Sequence, residues 1–285
     1  MQGRFSSYSD TKCHVTSSPV SSSFVFFFST FFFLSFFDFC IYFIFCCCCC
    51  CWEGTELHLA QNELRNAGVA ALAAALADDS SVVLVNLFDN QIGVDGARAL
   101  AALLRRTRTL RELNVAANRL GPEGARELAE GVGANRSLRR LNVGRNGLGD
   151  AGADALAAVI AVGTSLEEVL LHGNSIGDQG AVAVARALTP GTRQALQHLY
   201  LWDNGISSVG AQAIADMLRF NVRIQVVDLS YNDGAGAVYR KISRLVQANK
   251  VAHAFFLIMK KMKAEKKKKK RERKGEGKKR NEPKT

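Results

Sequence analysis

Seven asparagines recur at a nearly fixed interval, and this recurrence constrains the fold more than any other feature of the chain. They are Asn62, Asn90, Asn118, Asn146, Asn174, Asn204 and Asn232, spaced by 28 residues except for one interval of 30. Each closes a copy of one phrase, which is clearest as Leu110-x-x-Leu113-x-Val115-x-x-Asn118. A period of this length is typical of a solenoid, in which similar units stack on their neighbours.

Each unit predicts one short strand and one helix. Apolar residues stand five and three positions before each asparagine, as Leu113 and Val115 do before Asn118. This alternation indicates a strand with one buried face. Behind the asparagine, an aliphatic residue, a glycine and then small apolar residues at helical spacing indicate an amphipathic helix. Because every strand enters in the same direction, the units predict a parallel sheet, with each helix as the crossover.

The asparagine has a structural explanation. Where a strand ends and the chain turns, backbone groups lose their partners in the ladder, and a side-chain amide can replace both donors and acceptors. Repeated at one position, the amides are expected to form a column through the stack.

The repeated phrase, with Gly at the sixth position after the asparagine, resembles the leucine-rich repeats of the ribonuclease-inhibitor-like class. The resemblance covers about residues 54–260. It implies an α/β leucine-rich repeat solenoid: a curved horseshoe with a parallel sheet on its concave face and helices on its convex face. It also implies that the concave face binds a protein, as in ribonuclease inhibitor, Ran GTPase-activating protein and the sensing ends of nucleotide-binding immune receptors.

Composition divides the chain into four segments. We expect a Ser-rich disordered segment at 1–23, a Phe/Cys-rich hydrophobic segment at 24–52, the repeats at 53–260 and a Lys/Arg-rich disordered tail at 261–285. The repeat segment is predicted to hold seven repeats plus a terminal strand around Phe255 and Leu257. Upstream of the first repeat nothing resembles another unit, so the sequence does not predict what covers that end.

The Phe/Cys segment has two interpretations. Residues 24–45 carry 12 Phe and one charged residue, Asp38, and continue into the run Cys46 to Cys51. A largely apolar segment of 22 residues is long enough to span a bilayer as a helix, which indicates an uncleaved N-terminal anchor. Its abrupt homopolymer runs are equally typical of a translated non-coding stretch.

All of the formal net charge belongs to the C-terminal tail. The 26 residues from Lys260 hold 15 Lys and Arg against 4 Glu, whereas the rest of the chain carries equal numbers of basic and acidic residues. The charge therefore gives no reason to expect a nucleic-acid-binding repeat surface. For the tail, nuclear import, attraction to anionic lipid and weak nucleic-acid contact stand beside a merely solubilising role.

Candidate binding residues are those on strand positions that face away from the core. The positions four, two and one before each asparagine supply a predicted protein-binding set, which is His58, Asn86, Phe88, Asp89, Asn114, Asn142, Arg145, His172, Tyr200, Trp202, Asp203, Asp228 and Tyr231. Aromatic residues with a polar group gather in the fifth to seventh units. Together with arginine they have the composition of an interface hot spot. The other interpretation is that Trp202 packs against Tyr200 and Tyr231 to stiffen the sheet.

The sequence favours a non-enzymatic protein-interaction scaffold. A GTPase-activating module resembling Ran GTPase-activating protein and a membrane-tethered receptor are the alternatives. No nucleophile–base arrangement, phosphate-binding loop or zinc-site spacing is recognisable, so we predict no catalytic residues, no cofactor and no metal. We expect a monomer that is membrane-anchored if residues 24–45 are expressed and otherwise cytoplasmic or nuclear. Addition of the repeats to a GTP-loaded small GTPase separates the first two functions.

Overall fold

One parallel sheet runs the length of the repeat region. The computed structural model describes residues 23–25, 55–77, 81–189, 195–234, 236, 238–255, 259 and 262. Its strands are three residues each: β1 (Ser23–Val25), β2 (Glu56–His58), β3 (Leu84–Asn86), β4 (Glu112–Asn114), β5 (Arg140–Asn142), β6 (Glu168–Leu170), β7 (His198–Tyr200) and β8 (Val226–Asp228). They lie in sequence order, each parallel to the next. This order confirms the predicted α/β solenoid with an open sheet.

A helix follows each strand from β2 to β7. The helices are α1 (Arg65–Leu76), α2 (Val94–Arg106), α3 (Gly121–Ala134), α4 (Gly149–Ala161), α5 (Asp178–Ala187) and α6 (Ser208–Leu218). Residues 238–255 form a further helix behind β8, which we call α7. Each of α1 to α5 packs on the helix that follows it. Because packed helices need roughly 8–10 Å and paired strands about 4.8 Å, the stack curves with its strands inside.

The register of the sheet places equivalent residues of every unit side by side. Leu113 pairs with Val85 on one side and with Leu141 on the other. In each strand from β2 to β8 the central residue is buried while its two neighbours are more exposed. The predicted core positions five and three residues before each asparagine are all buried.

The asparagines form the predicted spine of hydrogen bonds. Asn118 Oδ1 accepts from the backbone N–H groups of Asn90 and Ile92, at 2.9 Å each. Its Nδ2 donates to the carbonyl of Leu87 in the preceding unit at 3.0 Å and to two carbonyls of its own strand end at 2.9 and 3.1 Å. The same donation to the preceding unit is made by Asn90, Asn146, Asn174, Asn204 and Asn232. Each amide therefore joins its own turn to the turn of the neighbouring unit.

Three of the helices start on a cap that the preceding unit supplies. Asp150 Oδ1 accepts from the backbone N–H groups of Gly177 and Gly180 at 2.7 and 2.8 Å, at the start of α5. A Cβ on Gly180 would lie 2.7 Å from the same oxygen. The repeated glycine is therefore required here by a close approach to a neighbouring unit. Asn66 and Asp178 cap α2 and α6 in the same way.

The two ends of the stack differ from the sequence prediction. At the first end, Phe24 pairs with Leu57, so β1 covers the open edge of β2 and the predicted boundary after residue 23 falls inside a strand. At the last end, the predicted terminal strand is wrong because Phe255 belongs to α7, and Leu257 lies outside the described residues. The apolar run around Phe255 fits either a strand or a helix, and in the structure Phe255 is helical.

The rest of the Phe/Cys segment and, apart from Met262, the basic tail lie outside the described residues. The anchor predicted at 24–45 is among them, apart from Phe24 and Val25 of β1. Within the part of the chain that is described, no helix combines the length and apolarity needed to cross a bilayer.

Candidate functional site

The face of the sheet opposite the core carries three rows of side chains, at the positions six, four and two before each asparagine. The pleat of a strand alternates its side chains between faces, which places these rows together. Sequence reasoning included the second and third rows and missed the first. The first row could have been predicted, because the alternation that gives positions four and two before each asparagine also gives position six.

The missed row carries alternating charges. Arg140 Nε lies 3.4 Å from Glu168 Oε1, and its Nη1 lies 3.8 Å from Glu112 Oε2. On the far side, His198 Nδ1 lies 3.7 Å from Glu168 Oε2. The middle of the sheet face therefore presents a charge ladder across β4, β5 and β6, with His198 of β7 beside it.

Most of the predicted residues in the middle row have structural tasks. Asn142 Oδ1 accepts from the backbone N–H of Gly144 at 3.0 Å, which closes the strand end. Asn86, Asn114 and Asp228 make the equivalent bond two residues ahead. Asn114 also donates to Asn86 across the strands at 3.0 Å. These side chains hydrogen-bond the turn, so their polar atoms are only partly available to a binding partner.

An aromatic group stands at the ends of β6 and β7. The rings of His172 and Trp202 are stacked, with centroids 4.3 Å apart and planes 7° from parallel. The guanidinium carbon of Arg145 lies 5.9 Å from the centroid of the Trp202 ring, within the range of a cation–π contact. We call Arg145, His172 and Trp202 the stacked cluster.

His172 is buried, contrary to the prediction that it lies exposed on the sheet face. Its residue is 9% exposed. A Cβ on Gly144 would lie 2.1 Å from the imidazole, so the glycine leaves the space in which the ring lies. The sequence does carry this signal: the residue one unit before His172, at the equivalent position, has no side chain.

Burial controls the protonation of His172. Desolvation lowers the pKa of His172 below its ordinary value, and Arg145 lowers it further, whereas Asp203 acts in the opposite direction. Its Nδ1 is buried without a hydrogen-bond partner in the described part of the chain. The neutral imidazole therefore suits this position, since it does not confront the guanidinium with a second positive charge.

Tyr200 joins the charge ladder to the aromatic group. Burial raises the pKa of its phenol, Glu168 and Asp228 act in the same direction, and Arg140 opposes them. The side chain is half-buried and stays a neutral phenol at physiological pH. It offers a hydroxyl and an apolar ring next to charged neighbours.

The position before each asparagine is a left-handed turn rather than part of the flat face. Asp89, Arg145, Asp203 and Tyr231 have φ between 53° and 57°. The first three are exposed, and Tyr231 is 84% exposed. These side chains form an edge along the carboxyl ends of the strands.

The structure brings together only part of the predicted set. Arg145, His172 and Trp202 are in contact, and Asp203 acts electrostatically on His172. His58, by contrast, pairs with Glu56 on β2, and β2 lies five strands, or about 24 Å, from β7. Phe88 and Asp89 lie near that distant end as well. The predicted set is thus a long surface with one dense region.

Metal ligation finds no support on this surface. Within the described ranges, no three His, Cys, Asp or Glu side chains are grouped closely enough to hold a metal ion.

Comparison with known proteins identifies the repeat. The family model described as "Leucine Rich repeat" matches residues 55–73, 80–101, 107–129, 134–157, 164–185 and 194–215. No curated protein matches the chain at a significant level.

Solved structures similar to the chain include two low-identity examples. The Leiomodin-1 Actin-Binding Site 2 (ABS2) structure is 14% identical, with a TM-score of 0.37, over 81% of this chain and 99% of that one. The Caenorhabditis elegans tropomodulin C-terminal domain is 13% identical, with a TM-score of 0.35, over 77% of this chain and 96% of that one. Likeness at this level does not indicate what this chain binds. The six matched repeats, the 28-residue register and the strand–helix units together establish that the chain belongs to the leucine-rich repeat proteins.

Proposed function

We propose that this protein is a non-enzymatic interaction scaffold that binds a protein partner on the exposed face of its sheet, centred on the stacked cluster. The observation that carries the proposal is the half-buried Trp202, stacked on His172 beside Arg145, where β6 and β7 end on the exposed face of the sheet. Tryptophan, tyrosine and arginine are the residues that most often dominate binding energy in protein interfaces.

The surroundings of the cluster fit a docking surface. Tyr231 is 84% exposed at the edge of the last unit, and Tyr200 lies between the cluster and the charge ladder. An apolar centre with charged groups around it is the usual anatomy of an interface. Arg140, Glu168 and His198 would select the register of the partner, since ladder charges of both signs reject a misaligned surface.

The cluster is also preorganised. Stacking between His172 and Trp202, and the space left by Gly144, fix the ring before any partner arrives. A side chain that is already ordered loses less conformational entropy on binding than a free one.

A photocrosslinking experiment finds the partner. A benzophenone side chain placed at position 231 in the full chain is expected to capture a protein from lysate. The same side chain at position 162 serves as the control. Val162 is 74% exposed at the end of α4, on the helical side of the unit. The side chain at position 162 is expected not to capture the protein that position 231 captures.

Affinity for the purified partner then tests the proposal. Trp202→Ala and Tyr231→Ala are each expected to weaken binding, the first by about 2 kcal/mol or roughly 30-fold. Val162→Ala is the matched control. Unchanged affinity for both sheet variants, with an unchanged unfolding midpoint, rejects the sheet face as the binding site.

A further inference from the structure

Helix α7 has two different faces. Ile242, Val246 and Asn249 are buried, and their spacing of four and three places them on the side that packs against the stack. Asn249 Nδ2 donates to the carbonyls of Asn221 and Ile224, at 2.7 and 3.1 Å, in the loop before β8. This face completes the last unit of the solenoid.

The other face is basic in its first half and apolar in its second. Arg240 and Arg244 are exposed, as are Val251 (62%) and Phe255 (64%). The intervals of four, seven and four residues place all of them on one side of a helix. This side is opposite to the buried face.

The apolar half continues beyond residue 255. Met259 and Met262 are helical and are 37% and 47% exposed. They follow Phe255 at intervals of four and three, which is again the spacing of one helix face. We call Val251, Phe255, Met259 and Met262 the apolar stripe.

A neighbouring loop adds to the same end of the molecule. Phe220 and Val222 are 68% and 55% exposed on either side of Asn221, whose carbonyl receives the bond from Asn249 of α7. Arg219 and Arg223 beside them are exposed too. This loop meets α7 on its buried side, so its exposed apolar residues lie at the same end of the stack, while the stripe is a separate apolar surface of α7.

We infer that α7 is a membrane-surface helix, which lies on anionic lipid with the apolar stripe in the interface and the arginines against the headgroups. The charge of the chain favours this occupant. Residues 260–285 contain 15 Lys and Arg against 4 Glu. A helix with an apolar side, next to basic residues, binds anionic membranes by adding apolar burial to electrostatic attraction.

Two other occupants fit the chemistry less well. A second copy of the chain would bring two strongly basic segments together, and their repulsion opposes self-association through this face. A nucleic acid would use the positive charge but leave the stripe unburied, and residues 260–285 contain no aromatic residue for stacking on bases.

Vesicle cosedimentation of the full chain tests the inference. Vesicles of phosphatidylcholine with about one third phosphatidylserine are compared with pure phosphatidylcholine, because only the former attracts basic residues. The wild-type chain is expected to bind the anionic vesicles more strongly, and this preference should fall as salt is raised.

Charge-preserving variants isolate the role of the stripe. Val251→Gln with Phe255→Gln keeps every charge and favours helix, and is expected to weaken anionic-vesicle binding about tenfold. Val162→Gln with Val209→Gln removes exposed apolar area elsewhere and should leave vesicle binding unchanged, since Val162 and Val209 are 74% and 64% exposed. Far-ultraviolet circular dichroism and the urea midpoint confirm that both double variants fold.

Three results would overturn the inference. One is vesicle binding that the stripe variant leaves unchanged, which assigns binding to the charged residues or to the N-terminal segment alone. Another is equal binding to neutral and anionic vesicles. The last is a wild-type dimer in sedimentation velocity that becomes a monomer in the stripe variant, which assigns the face to a second copy.

Discussion

Single amides hold adjacent units together at the residue scale. Each spine asparagine hydrogen-bonds backbone groups of two adjacent units. Removing one such side chain therefore weakens the contact between both units. Asn174 is fully buried and donates to Val143 of the preceding unit at 3.0 Å. A buried backbone group left without its partner costs more than the net value of one hydrogen bond.

Asn118→Ala is therefore expected to lower the free energy of unfolding by about 1–3 kcal/mol. It leaves the N–H groups of Asn90 and Ile92 without their acceptor. Asn114→Ala is the matched control, because Asn114 is half-buried on the opposite face of the same unit and should cost less. Urea denaturation measures both. An equal loss for the two variants would contradict the structural role of the spine.

His172 makes stability depend on pH. Because the folded protein holds the pKa of His172 below its ordinary value of about 6.5, the unfolded chain binds more protons in this range. The stability that the neutral ring contributes is fully present above pH 6.5. It is lost as the pH falls from 6.5 through the lower pKa of His172 in the folded protein.

The unfolding free energy of the wild type is thus expected to decrease between about pH 7 and pH 5. His172→Gln should flatten that part of the profile, since glutamine does not titrate. Denaturant titrations of both proteins across this range provide the measurement. A wild-type profile that is parallel to the variant's would show that His172 has an ordinary pKa.

The sequence predicts burial correctly where it depends on one strand alone. It fails where burial depends on a residue of the neighbouring unit. The buried Leu113 and Val115 follow from alternation within one strand. The burial of His172 depends on the missing side chain of Gly144 in the neighbouring unit. That dependence becomes visible only after the units are aligned in register.

At the scale of elements, the caps show why the helices start where they do. Asp178 accepts from the backbone N–H groups of Ser207 and Gly210 at 2.8 Å each, at the start of α6, and from the Ser207 hydroxyl at 2.6 Å. The hydroxyl bond is the main reason that the pKa of Asp178 lies below its ordinary value. A carboxylate near a helix N-terminus also interacts favourably with the helix dipole.

Asp178→Ala is expected to destabilise the protein by about 0.5–2 kcal/mol at neutral pH. Because the folded pKa is depressed, the ionic part of this contribution is present above the unfolded value and disappears as pH falls through the folded one. The difference from the wild type should hence shrink near pH 3. Gln179→Ala, at the exposed next residue, serves as the control in thermal or urea unfolding. A difference that stays constant with pH would mean that the charge adds nothing.

Element assignment from sequence was reliable inside the stack and failed at its ends. Interior units repeat one pattern, so each copy supports the others. The strand Ser23–Val25 has no asparagine phrase to announce it, and it pairs with β2 through backbone bonds that any sequence can make. The apolar run at Phe255 lacks the polar alternation that would distinguish a strand from a helix, and Phe255 itself belongs to α7.

At the scale of the whole molecule, the fold separates stability from binding. The asparagine spine and the buried apolar rows repeat in every unit, whereas the stacked cluster is formed by one residue from each of the fourth, fifth and sixth repeats. Repetition makes the framework recognisable in the sequence. The proposed binding surface differs from unit to unit, so its chemistry follows only from the particular residues that the register brings together.

Amide hydrogen exchange of the chain tests the central claim most directly. It is measured with and without the purified partner that photocrosslinking identifies. We predict that the partner slows exchange at the strand ends around Arg145, His172 and Trp202, and leaves α2 and α3 unchanged, because the partner covers the sheet face and not the helical side. Protection confined to the helices, with no change around Trp202, would contradict the account.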